Sequence, residues 1–150
     1  MRVALISPRH SVQKGDFLGS GVPYWPIELA TLAAVLRGAG DVPVMVDQFG
    51  ANPGKLTDAG DHYLQGESIG SRVFSEPLRS AQAFVLYAIS YMSHGELLAT
   101  CRWLRERYPG TAIAVLENTQ AVTSYSLASM SSAFAGSGAD FLICGEPHFD

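Results

Sequence analysis

Five short apolar runs, each separated from the next by enough chain for a helix or long loop, constrain this chain most. They span residues 3–7, 42–47, 83–89, 111–116 and 140–144. All five are near-continuous rather than alternating, and several are rich in β-branched residues, the pattern of strands buried on both faces. Amphipathic segments lie between them. Residues 27–37 carry Ile27, Leu29, Ala30, Leu32, Ala33, Val35 and Leu36, with Pro26 at the first turn and Gly38 and Gly40 as the stop. Residues 94–108 repeat the pattern with Leu97, Leu98, Cys101 and Leu104 and end at Pro109-Gly110. A third, weaker helix is expected over 123–134. A fourth, over 69–79, is interrupted by Pro77. Residues 50–71 hold five glycines and read as an extended loop or short helix on the sheet rim.

Strands and helices alternating at this spacing predict an α/β fold: a Rossmann-like or flavodoxin-like, five-stranded parallel sheet in the order 2-1-3-4-5, flanked by helices. The 150 residues make one domain, and 47% hydrophobic residues suffice for a core. Net charge is −4, which argues against a nucleic-acid partner. Arg102, Arg105 and Arg107 read as a solvated helix face. Cys101 and Cys144 lie 43 positions apart, a spacing that suits neither a zinc site nor a disulfide framework. Two free thiols and the absence of a membrane-length apolar run or secretory signal give a cytoplasmic expectation.

Ligands of open parallel sheets sit beyond the carboxyl ends of the strands. That rule selects the loops at 8–25, 48–52, 90–95, 117–123 and 145–148. The first holds Gly15, Gly19 and Gly21 but neither a dinucleotide fingerprint nor a Gly-Lys-Ser/Thr phosphate loop. In the third, Ser90, Tyr91 and Met92 offer a resting surface for a flat ligand, while Ser93 and Glu96 have the spacing of a capping box. The fourth opens on Glu117, Asn118, Thr119 and Gln120 and reaches Thr123. It reads either as a polar platform for a nucleotide tail or as a loop capped by Thr123 or Ser124.

Several of these segments together resemble the N-terminal cobalamin (vitamin B12)-binding domain of the cobalamin-dependent radical SAM enzymes, a family rich in methyltransferases. They are Ser7-Pro8, the aromatic-Pro stretch Tyr24-Trp25-Pro26, the run from Leu29 to Gly40, the strand ending in Asp47, and Ala139 through Glu146. The resemblance implies base-off cobalamin across the carboxyl edge of the sheet. Its corrin would lie near Tyr91 and Met92. Its nucleotide tail would run beside Glu117, Asn118, Thr119, Gln120 and Thr123, with Gly145 and Glu146 nearby. The Asp-x-His-x-x-Gly loop that supplies a cobalt ligand in many B12 proteins has no counterpart: Asp61-His62 has other spacing, and Pro8-Arg9-His10 lacks the Asp. No residue is therefore assigned as a metal ligand.

Radical SAM chemistry needs C-x-x-x-C-x-x-C to hold an iron–sulfur cluster, and two cysteines cannot form it. The resemblance thus implies a binding module, excised from a longer enzyme and not catalytic by itself. S-adenosylmethionine and the 4Fe-4S cluster would belong to a radical SAM catalytic domain, in cis or in trans. The other reading is a flavodoxin-like domain that binds FMN or another phosphorylated ligand.

Overall fold

The computed structural model describes residues 1–15, 26–119 and 126–145. Five parallel strands form the main sheet: β1 (Arg2–Ser7), β3 (Val42–Asp47), β6 (Ala83–Ala88), β7 (Ala112–Glu117) and β8 (Phe141–Ile143), in the order β3-β1-β6-β7-β8. This is the 2-1-3-4-5 arrangement that the apolar runs predict. The α/β fold follows from the central strands. Alternate residues of β1 and β6 point to opposite faces, and both faces are apolar. Ala4, Ile6, Phe84 and Leu86 enter one core with Leu97, Cys101, Leu104 and Phe134. Val3, Leu5, Val85 and Tyr87 enter the other with Leu29 and Ala33.

Two of the runs are edge strands rather than doubly buried ones. β3 leaves Val42 53% exposed and Met45 43% exposed, and it tolerates Pro43, which cannot donate to a ladder. β8 leaves Phe141 61% exposed.

The helix α1 (Ile27–Gly38) matches its expected span, but its buried stripe is Glu28, Leu29 and Ala33 while Ile27 faces out. It ends where Gly40 adopts φ +84 and Asp41 N–H returns to Leu36 O at 2.8 Å, a left-handed stop suited to Gly. A single turn, α2 (Gln48–Ala51), is capped by Asp47, whose carboxylate accepts from Gly50 N–H at 2.9 Å. The segment with Pro77 is a 3-10 turn (Arg72–Phe74) followed by α3 (Ser75–Ser80), in which Pro77 falls in the first turn and removes no needed donor. The long helix α4 (His94–Arg107) is as expected. Within 126–145 the weak helix is a 3-10 turn (Leu127–Met130) leading into α5 (Ser131–Gly136).

The stretch expected as a loop is instead a hairpin. Strands β4 (Leu56–Asp58) and β5 (His62–Gln65) pair antiparallel, and β2 (His10–Gln13) joins them in the order β2-β5-β4. Gly60, at φ +95, makes the turn, and its N–H is held by Asp58 Oδ1 at 2.8 Å.

Arg105 is likewise more than a solvated side chain. Its guanidinium donates to the carbonyls of Pro109, Thr111 and Gly138 and pairs with Asp140 at 2.6 Å. The Asp140 carboxyl also accepts Ile113 N–H, and these donors hold it below the usual carboxylate range. Arg105 thereby ties α4 to the entry of β8. Among the described residues no helix is long and apolar enough to cross a membrane.

The cysteines differ sharply in environment. Cys101 is fully buried and its thiol is pushed up to about 12 by that burial, whereas Cys144 is exposed. Titration of the native protein with a thiol reagent is expected to modify Cys144 alone, with Cys101 reacting only after denaturant is added. Two fast thiols in the native state would contradict this packing.

Candidate functional site at the carboxyl edge of the sheet

Strand order reverses between β1 and β6, so the crevice beyond their carboxyl ends is the natural ligand position. The described residues partly close it. Arg9, just after β1, pairs with Glu96 in the first turn of α4 at 2.6 Å, and both side chains are mostly buried. His10 stacks on Phe49 with ring centroids 4.2 Å apart. Burial lowers the His10 pKa, and the neighbouring Asp47 opposes that shift only in part. The small β2-β5-β4 sheet thus occupies the edge on the β1–β3 side. Among the described residues, the loops after β6, β7 and β8 form the rest of this edge.

There Ser90, buried at the end of β6, accepts Met92 N–H at 3.2 Å and starts a 3-10 turn over Tyr91–Ser93. Tyr91 is 59% exposed and Met92 is 38% exposed, while Ser90 and Ser93 on either side are buried. The turn therefore presents an aromatic ring and a thioether outward. The capping box does not form: Ser93 makes no side-chain cap, and Glu96 is committed to Arg9. His94 packs edge-on to Phe134 at 5.4 Å.

At the end of β7, Glu117 and Asn118 are engaged by the protein itself. Glu117 Oε1 accepts Leu127 N–H at 2.8 Å, and Oε2 accepts Gly145 N–H at 2.6 Å. One carboxylate therefore straps the loops after β7 and β8 together. Asn118 is buried and donates from Nδ2 to Ile89 O at 2.9 Å, linking the ends of β6 and β7. Thr119 is half-buried beside them. Gln120, Thr123 and Glu146 lie outside the described residues.

The structure thus brings Ser90, Tyr91, Met92, Glu117, Asn118, Thr119 and Gly145 to one edge. It also shows polar pairs that sequence spacing does not signal: Arg9 with Glu96, and Tyr87 with Glu28, whose residues are 87 and 59 positions apart.

No known protein family, characterised protein or solved structure matches the chain in comparison.

Proposed function

We propose that this chain is a cobalamin-binding module that holds base-off B12 at the carboxyl edge of its sheet, for methyl transfer by a radical SAM methyltransferase. The observation that carries this reading is the turn at Tyr91 and Met92. It sets two exposed, ligand-sized apolar side chains beside the strand-order switch, where a flat macrocycle can lie. Glu117 and Asn118 shape this edge by bonding the protein itself, at Leu127, Gly145 and Ile89. Direct tail contacts then fall to Thr119, with Gln120, Thr123 and Glu146 as further candidates.

Bound cobalamin supplies the methyl-carrying cobalt. The chain's own contribution is to position the cofactor and cover it from water. S-adenosylmethionine and the 4Fe-4S cluster belong to a catalytic partner domain, in cis or in trans. The FMN reading ranks second because the chain after β1 enters β2 within three residues of Ser7. There it pairs with β5 from His10↔Gln65 to Gln13↔His62, where a phosphate loop needs free N–H groups.

Absorbance titration with hydroxocobalamin tests the proposal. Saturable binding with a base-off spectrum is expected. Tyr91→Ala with Met92→Ala should weaken it about tenfold or more while leaving the melting temperature unchanged, since both side chains are exposed. No binding, or binding indifferent to both substitutions, would sink it.

A further inference from the structure

A cavity of about 470 Å3 lies between α3 and the C-terminal half of α4 and includes none of the strand-end loop residues. Its volume is in the range of small-ligand sites. Ser71, Ser75, Arg79, Trp103, Arg107 and Tyr108 line it, and among the described residues no carboxylate does. The chain carries 14 acidic and 10 basic residues, so two arginines converging without an acid run against its composition. Neither guanidinium forms an ion pair or hydrogen bond among the described residues. Each occupies its helix's last turn, where a cation is favoured. That preference accounts for the residue type at each position but not for their meeting at one cavity.

We infer that this cavity binds a small ligand that joins a flat ring to a phosphate, of the nucleoside-phosphate class. Two guanidinium forks suit phosphate oxygens, which they can bind in pairs. The Ser71 and Ser75 hydroxyls add further donors. Trp103 and Tyr108 supply the ring surface: their rings meet edge-on at 6.2 Å, and every nucleobase has a face to stack on such a wall. The ligand therefore sits away from the proposed cobalamin edge, and each site is testable without the other.

The chain has two tryptophans, so a Trp25→Phe background leaves Trp103 as the fluorescent probe. Titration with adenosine 5′-monophosphate is expected to quench it saturably, more weakly as salt rises. Adenosine without the phosphate, and the Arg79→Gln/Arg107→Gln double variant, should each bind about tenfold more weakly or worse. Amide shifts on the unsubstituted protein should cluster at Gly70, Ser71 and the Trp103 indole N–H, and saturating hydroxocobalamin should not compete. Absence of saturable quenching, equal affinity for adenosine, indifference to the double variant, or shifts centred on the loops after β6 and β7 would each overturn the site.

Discussion

Replacing Tyr87 by Phe is expected to destabilise the fold by about 2–4 kcal/mol, because it strands a buried carboxyl group. Tyr87 is 1% exposed and its hydroxyl donates to Glu28 Oε2, beside a core that includes Val3, Leu5, Leu29, Val85 and Leu116. Among the described residues Glu28 Oε1 already has no hydrogen-bond partner. Without the phenol both oxygens are left in apolar surroundings. Adding Glu28→Leu to Tyr87→Phe should recover most of the loss, since removing both polar partners together avoids the desolvation penalty. A denaturant midpoint for the four proteins of this cycle checks it, and additive losses would refute the pairing.

The same contact has a pH signature. Burial, and then Glu28, raise the Tyr87 pKa above its ordinary value of 10.0. Above that pH the unfolded chain releases a proton that the folded chain keeps, so this contribution is full below pH 10 and declines as pH rises. Tyr87→Phe should flatten the alkaline limb of stability by up to about 1.4 kcal/mol per pH unit.

How much of this was legible follows from how each feature is encoded. β1 and β6 are apolar on both faces, so their runs announce central strands without any partner being known. The run at Val42 to Asp47 reads the same way although it lies at an edge, because exposure depends on which strand fails to arrive beside it. The hairpin was hidden: β4 is three exposed residues and β5 four half-buried ones, too short to show an alternation among so many glycines. Its third strand comes from a distant segment, through His10↔Gln65.

At the carboxyl edge, the strand-end rule locates Tyr91, Met92 and Glu117 from local pattern alone. It cannot assign their tasks. Glu96, spaced for a capping box, instead meets Arg9, and Glu28 turns inward beneath a helix whose Ile27 faces out. Such roles are set by side chains far away in sequence, and local periodicity carries no record of them.

Glu117 yields the second large expected effect. Its two oxygens satisfy backbone N–H groups 10 and 28 positions along the chain, at Leu127 and Gly145. Leu127 is fully buried, so its donor has no water to turn to, whereas Gly145 is exposed and loses less. Glu117→Ala is therefore expected to cost about 2–4 kcal/mol, a fall of roughly 5–15 °C in melting temperature for a domain of this size. Glu117→Gln should cost about half as much: it keeps one acceptor, but its amide meets the second N–H donor to donor.

A further readout distinguishes this strap from generic loosening. The Cys144 thiol is raised first by partial burial and next by the Glu117 charge. Glu117→Gln removes that charge, so Cys144 should alkylate faster near neutral pH while Cys101 stays protected. A melting temperature within a degree or so of the parent, with unchanged Cys144 reactivity, would show that the carboxylate does not hold the two loops. If it does hold them, the distance between the ends of β7 and β8 is set by this one side chain. The spacing of any ligand contact made from Thr119 on one side and Gly145 on the other then depends on it as well.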